Sequence, residues 1–537
     1  MTGVDAEADA SSGAGRGTGT DRLASGARRV SALTMLSRVL GLVREQIFGA
    51  MLGAGIYSDA FIAAFRIPNL LRDLFAEGAL STAFVPTYVR TLHNESRAAA
   101  FALANRVMST LTIYLGLLAA LGMLFPQPVV ALMATGFSPE KAALCAQLVR
   151  IMMPFLPAIS LAVVAMGALN AEERYTTPAL ASSMFNIVAI IGGACVYVIA
   201  PGARAAVIAW SALTLVGGLA QLAIQLPPLW RLGFRPRLLP DLRLRDPGTR
   251  RIATLMAPAT LGVAAVQINV LVNSAFASLI ADGAMSWLNY SFRLMQLPIG
   301  VFGVAVATTS LTHLSRDAAA QDPQALSATL RRGVRMVLFL TVPSTVGLAL
   351  LGVPIIRLIY QHGRFTDLAT LQTARALSGY ALGLVAYSAI KVVAPAFYAL
   401  GRTRVPLMAS VSAVAANLTW NLLTFRRFGH VGLAIGTSVA ATVNLAVLLV
   451  AFQTQIRGFF TRDLLGALAR IALASAVMGA AVWFVSGWLE PLGIAPRLLG
   501  WTIKVFAPIT VGAAIYFAVA RLLKLPEATA LVHRRRR

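Results

Sequence analysis

The chain has 537 residues, of which 58% are hydrophobic and only 12% charged, against roughly 25% charged in an ordinary soluble domain. A water-soluble fold could not hide that much apolar surface, and apolar runs of about 20 residues, long enough to cross a hydrocarbon core as a helix, recur along nearly the whole sequence. The formal charge of +25 does not argue for nucleic acid, because the basic residues gather at the ends of those runs.

In lipid, only helices and closed barrels satisfy every backbone group. The runs here are continuous rather than alternating with period two, which excludes a barrel and predicts an all-α polytopic membrane protein. Residues 1–26 are rich in Gly, Ala, Ser, Thr and Asp and lack an apolar stretch, so they are expected to form a disordered tail rather than a signal peptide. Beyond them, fourteen spans are predicted, centred near residues 40, 70, 120, 157, 188, 216, 265, 299, 343, 385, 414, 442, 478 and 510. An even number puts both termini on one side. Lys and Arg fall mainly in the loops of that side, which makes it the cytoplasmic one.

The most basic internal loop carries Arg231, Arg235, Arg237, Arg243, Arg245, Arg250 and Arg251 and falls between the sixth and seventh spans. It divides the chain into a first lobe of six spans (27–232), a basic cytoplasmic linker (233–250) and a second lobe of six (251–456). Two further spans (457–525) and a basic cytoplasmic tail (526–537) follow. An internal repeat supports the division. The segment from Ala168 to Ser182 matches that from Ala396 to Ser410 at a constant offset of 228 with six identities, and each copy joins the fourth and fifth span of its half. Because both copies start on the same side, the halves are parallel repeats about a pseudo-two-fold along the membrane normal.

An ionisable group at the centre of a membrane helix costs roughly 2.5–3.5 kcal/mol on insertion scales, so it must face a wet cavity or a partner. In the first span Ser31, Thr34, Arg38, Gly41 and Glu45 share one side, a polar stripe on an apolar helix, with Arg44 off to one flank. The second span carries Asp59, Arg66, Asn69, Arg72, Asp73 and Glu77 around Pro68, where a kink is expected. The eighth adds Arg293 ahead of Pro298, Gly300 and Gly303. Two readings are open for Arg66, Asp73 and Glu77. They either neutralise one another in structural pairs, with Arg72 also able to take a neighbouring acid, or they line a cavity. Arg38, Arg44, Arg72 and Arg293 outnumber the acids of matching depth and favour an anionic guest, since a guanidinium fork fits phosphate and never loses its charge.

The excess of arginine over lysine, with Lys141, Lys391, Lys504 and Lys524 the only lysines, is read as a matter of genome base composition. Cys145 and Cys195 lie far apart within apolar runs and are read as packing residues, and the five histidines are scattered singly. No metal site follows. Gly167, Gly192 and Gly193 are read as sites of close helix packing. No phosphate-binding loop of the G-x-x-x-x-G-K-[ST] kind occurs, so no nucleotide site is expected.

Certain stretches also carry a family resemblance. Ser37-Arg38-Val39-Leu40-Gly41 with Arg44, Ser58-Asp59-Ala60-Phe61, Phe65-Arg66-Ile67-Pro68-Asn69-Leu70-Leu71-Arg72, Phe75-Ala76-Glu77-Gly78-Ala79 and Ala83-Phe84-Val85-Pro86 form a dense series. Ser286-Trp287, Arg293-Leu294-Met295, Pro298, Gly363-Arg364-Phe365-Thr366 and Lys391-Val392-Val393-Ala394-Pro395 with Phe397-Tyr398 extend it. Together they resemble the signature of the MurJ (MviN) family, over nearly everything after residue 28. The chain departs from that pattern at Phe292, where an acid is usual before Arg293, and at Asp73, where a base is usual after Arg72.

The resemblance implies a member of the multidrug/oligosaccharidyl-lipid/polysaccharide transporter superfamily rather than an enzyme. It implies a flippase moving lipid II, the undecaprenyl-pyrophosphoryl disaccharide-pentapeptide, from the inner to the outer leaflet of the bacterial cytoplasmic membrane for cell-wall synthesis. It also implies a cationic cavity in which Arg38, Arg44, Arg72 and Arg293 bind substrate, with Asp59 the conserved acid at the start of the second span. Arg66, Pro68, Asn69, Glu77 and Pro298 join Asp59 as candidate cavity and gating residues. The last two spans would form a groove for the polyprenyl tail. No cofactor is expected, and the membrane potential is the expected driver. The expected partners are lipid II, membrane lipids and the cell-wall synthesis machinery, and not nucleic acid. The alternatives are a flippase for another polyprenyl-linked glycan or a related drug exporter. A drug exporter would show unpaired cavity acids, and a membrane-embedded polyprenyl-phosphate enzyme would need clustered acids or a His and carboxylate set.

Overall fold

The computed structural model describes residues 16–74, 79–456, 458–493 and 496–533, and among them all regular secondary structure is helical. In chain order the helices are α1 (Arg16–Leu52), α2 (Ile56–Arg72), α3 (Ala79–Asn94), α4 (Arg97–Leu124), α5 (Pro126–Met133), α6 (Pro139–Met152) and α7 (Phe155–Ala171). Then come α8 (Thr176–Ile199), α9 (Ala203–Ala223), α10 (Leu226–Arg231), α11 (Pro247–Ser278), α12 (Ala284–Pro298) and α13 (Val304–Ala319), with a π segment (Ile299–Gly303) between the last two. The remainder are α14 (Pro323–Leu350), α15 (Gly352–Tyr360), α16 (Asp367–Ala399), α17 (Arg404–Ile456), α18 (Arg462–Leu489), α19 (Arg497–Leu522) and α20 (Pro526–His533).

Ten helical stretches among the described residues are long and apolar enough to cross a membrane. One of them, α17, has 53 residues and if straight would run about 80 Å, more than twice the hydrocarbon thickness. It breaks at Gly429, whose φ of 57° and ψ of −138° are not helical. The glycine lies between the eleventh and twelfth predicted spans. The first, second and seventh predicted spans correspond to α1, to α2 with α3, and to α11, which are not in the strongly apolar class. The set is consistent with fourteen spans.

Two helices begin where the sequence predicts tails. Helix α1 starts at Arg16, inside the stretch expected to be disordered. A helix already nucleated in the membrane extends residue by residue into sequence that would not start one alone. At the other end α20 docks, with Ala528 buried and Arg335 Nε donating to Glu527 Oε1 at 2.8 Å.

The chain folds into two compact units that do not follow its order. The first gathers residues up to 48, 64–126 and 146–263, and the second gathers 49–63, 127–145 and 264 onward. In the first unit, Leu80, Phe84, Tyr88, Phe101, Leu169, Leu229 and Phe234 share one core. Close helix approach depends on glycine there. A Cβ on Gly167 would lie 2.8 Å from Phe84, and one on Gly193 2.3 Å from Trp210. In the second unit Phe339, Phe397, Phe452, Phe459 and Tyr516 anchor a large core, and the Tyr516 hydroxyl donates to the Phe339 carbonyl at 2.6 Å.

The repeat found in the sequence is reproduced bond for bond in the turns after α7 and α16. Arg174 N–H donates to the Leu169 carbonyl and Arg402 N–H to that of Phe397, both at 2.8 Å. These are the longer-range bonds that close a helix C-terminus. Each turn needs one left-handed residue, Glu173 with φ 60° in the first copy and Gly401 with φ 70° in the second.

Candidate functional site

Within the first unit, α1 meets α8 at Gly41 and Ser37. Gly41 faces Asn186, whose Nδ2 donates to the Ser37 carbonyl at 3.0 Å. Arg38 is exposed and makes no ion pair or hydrogen bond among the described residues. Glu45, by contrast, is 7% exposed and accepts from the preceding residue, with Arg44 Nη2 2.6 Å from its Oε1. The Arg44 guanidinium also sits 5.2 Å from the centroid of the Phe185 ring, a desolvated position in which both attractions are stronger than at a wet surface.

Arg72 likewise has a neighbouring acid. Its Nη2 and Nε lie 2.9 and 3.2 Å from Asp73 Oδ1, one of the pairings the sequence left open. Arg72 also lines a cavity of about 60 Å³ with Ile159, Ala162, Ser182, Gln221 and Gln225. Helix α2 continues through the buried Pro68, with half-buried Arg66 and Asn69 beside it, and widens into a π turn only at residues 73 and 74. Glu77 lies outside the described residues.

In the second unit, Arg293 is half-buried on α12, next to Phe292, whose ring packs on Tyr380 at 5.3 Å. Pro298 ends α12 and the π segment follows at once. Such wide turns open the backbone ladder and recur at functional positions.

The most elaborate polar cluster is centred on Asp59, also in the second unit. Asp59 is 1% exposed, and its carboxylate receives four donors. Lys141 Nζ lies 2.8 Å from Oδ2, Gly283 N–H donates to Oδ2 at 2.7 Å, and Ser286 gives Oδ1 both its N–H at 2.8 Å and its hydroxyl at 2.6 Å. Gly283 and Ser286 form the first turn of α12, so Asp59 serves as an N-cap from a different helix, placing negative charge where the orphan N–H groups and the helix dipole favour it. Lys141 completes the cluster by bridging to Asp282 Oδ1, also at 2.8 Å, with its Nζ 4.2 Å from the centroid of Phe137.

Sequence reasoning singled out Asp59 as a cavity or gating candidate but not Lys141, Asp282 or Ser286. One signal was available. In a chain that otherwise uses arginine, a lysine supplies a compact ammonium that fits between two carboxylates where a planar fork would not.

Backbone contacts join the same early segments to the later chain. Gly136 N–H donates to Ser278 Oγ at 3.0 Å, Arg364 N–H to the Ala50 carbonyl at 2.8 Å, and the Tyr290 hydroxyl to the Gly53 carbonyl at 3.1 Å. The Oγ atoms of Ser58 and Ser286 are 2.8 Å apart. Gly53 cannot be replaced cheaply in this seam. Its φ is +67° and a Cβ would sit 2.6 Å from the Arg364 carbonyl oxygen. Gly53→Ala is therefore expected to destabilise the protein by about 1–3 kcal/mol, read as a lowered unfolding temperature in mild detergent, whereas Gly55→Ala, with open space around it, should change it little.

A family model described as lipid II flippase MurJ matches residues 48–498. The chain is 34% identical over 515 residues to the probable lipid II flippase MurJ of Vibrio cholerae, covering 94% of this chain and 96% of the relative. It is 36% identical over 430 residues to the lipid II flippase MurJ of Burkholderia cenocepacia, covering 79% and 83%. A lipid II flippase MurJ solved in an inward closed conformation is matched with a TM-score of 0.76 at 26% identity, over 92% of this chain and 99% of that one. These are multi-pass flippases rather than enzymes, and with the family model spanning most of its length, the chain belongs to the lipid II flippase MurJ family.

Proposed function

We propose that this protein carries lipid II from the cytoplasmic to the outer leaflet of the bacterial cytoplasmic membrane by alternating access, for peptidoglycan synthesis, with both termini cytoplasmic. Arg38, Arg44, Arg72 and Arg293 hold the pyrophosphate and headgroup, and the polyprenyl tail stays in the membrane along α18 and α19. A guided, wet route for the headgroup avoids placing its charges in hydrocarbon. The membrane potential, worth about 2.3 kcal/mol per unit charge per 100 mV, drives the cycle without a nucleotide.

The single observation that supports the mechanism best is the Asp59 cluster. Residues 49–63 and 127–145 come from the first half of the chain, yet their polar groups are satisfied by α11, α12 and the segment around Arg364. This seam is the outer gate in its closed state. Asp59, Lys141 and Ser286 are its latch, and opening outward exchanges their mutual bonds for water.

A crosslink tests this directly. In a Ser58→Cys/Ser286→Cys double variant, oxidation should abolish appearance of lipid II at the outer face, and reductant should restore it. Full translocation by the crosslinked protein would refute the gate. Depleting the protein in its host and measuring lipid II at the outer face tests the substrate separately. Unchanged exposure would remove lipid II from the proposal.

A further inference from the structure

The basic stretch between α10 and α11 is not a slack tether. Its backbone is pinned, residue after alternate residue, along α4. Asn105 Nδ2 donates to the Arg235 carbonyl at 2.9 Å and Asn105 Oδ1 accepts from Arg237 N–H at 3.0 Å. Ser109 Oγ accepts from Leu239 N–H and Thr110 Oγ1 from Asp241 N–H, both at 3.0 Å, and the Tyr114 hydroxyl donates to the Leu242 carbonyl at 2.8 Å. The return is fixed as well. Asp241 accepts the N–H groups of Arg245 and Asp246 at 2.9 Å, and Arg106 holds Asp246 at 2.6 Å. Asn105, Ser109 and Thr110 are at most 6% exposed, so an otherwise apolar helix spends its buried polar side chains on shaping this hairpin.

The hairpin runs along α4 with its leucines at and beside the tip and its arginines flanking them. From Asn105 to Tyr114 is about 13 Å of helix. Toward the tip, whose Leu242 carbonyl is held by Tyr114, Leu238, Leu239 and Leu242 are 78%, 38% and 45% exposed. There α4 itself turns outward with exposed Ile113, Tyr114, Leu117 and Leu121, the start of its lipid-facing band. Arg235 and Arg237 at the Asn105 end, and Arg243 and Arg245 on the return from the tip, are all exposed. None of the four makes an ion pair among the described residues, and the segment's own acids are engaged by backbone N–H groups and Arg106.

We propose that residues 235–245 are a membrane-interface anchor for anionic phospholipids. The leucine tip enters the acyl boundary and the four arginines bind headgroup phosphates, in the manner of an interfacial amphipathic segment with a polybasic rim. The assignment does not depend on what the protein transports. A solvated charge run would need neither the pinned backbone nor exposed leucines at the depth where α4 meets lipid.

The test uses the intact protein in vesicles of phosphatidylcholine containing spin-labelled phosphatidylglycerol or spin-labelled phosphatidylcholine. The wild type should prefer the anionic label. The preference should weaken at high salt and fall by roughly fivefold for each arginine that reaches a headgroup in Arg235→Gln/Arg237→Gln/Arg243→Gln/Arg245→Gln. The same preference in that variant overturns the proposal. Independently, an environment-sensitive dye on Leu238→Cys in a Cys195→Ala background should be quenched by lipid-borne bromine and shielded from iodide. Quenching by iodide alone would show a solvated loop and overturn it.

Discussion

Lys141→Met is expected to be the most damaging single change in the Asp59 cluster, lowering stability by roughly 3–5 kcal/mol. Lys141 is 3% exposed and its ammonium is the only cation on the 1%-exposed Asp59 carboxylate among the described residues. Removing it leaves a buried charge whose hydrogen bonds to Gly283 and Ser286 remain but whose neutralisation is gone. Asp59→Asn should cost less, because Lys141 keeps Asp282, and Asp282→Asn least, because its carboxylate is 60% exposed. The double variant Lys141→Met/Asp59→Asn removes both buried charges and should recover much of the loss, a coupling that a double-mutant cycle of unfolding in mild detergent would measure. If Asp282→Asn were as harmful as Lys141→Met, or the double variant no better than the single, the ammonium would not be acting as the counter-charge of Asp59. The latch reading adds a functional consequence. Variants that keep the fold but weaken the seam should spend more time open outward, seen as greater labelling of a cysteine placed at Ser286.

Much of the architecture was legible because its causes are local. Apolar runs of bilayer length set the helices, and the Ala168 and Ala396 segments set the turns that Glu173 and Gly401 close with the same bonds. The break between the eleventh and twelfth spans rests on one glycine, Gly429. The start of α1 at Arg16 was not legible, since glycine, serine and threonine there argue for disorder on composition alone. Charge pairing was harder still. Arg44 with Glu45 and Arg72 with Asp73 join neighbours in sequence, which on an ideal helix point about 100° apart and do not face each other, so a stripe analysis sorts them onto different faces. Asp59 with Lys141 is the opposite case, joined across 82 positions. No periodicity within one helix reports a partner contributed by another.

These pairings separate the arginines in a way that counting charges could not. Arg38 has no bonded partner among the described residues, so Arg38→Ala strands no acid and should leave stability within about 0.5 kcal/mol of wild type. If Arg38 binds the diphosphate, the same change removes charge-assisted hydrogen bonds and should cut translocation by about tenfold or more. Arg44→Ala should behave differently, losing stability as well as activity, because it removes a 2.6 Å ion pair with Glu45, whose side chain is 9% exposed. Adding Glu45→Gln should restore the stability and not the transport. Arg293→Ala should insert normally and fail to expose lipid II, the outcome expected of Arg38→Ala. Arg38→Lys distinguishes charge from shape. A point charge should retain part of the activity, above alanine and below arginine, whereas equal loss in both variants would mean that the planar fork itself is required. The measurement is lipid II accessible at the outer face of cells relying on each variant, with membrane levels of protein matched. Wild-type exposure from both Arg38→Ala and Arg293→Ala would take the guanidinium groups out of substrate binding, while the family and the fold would stand.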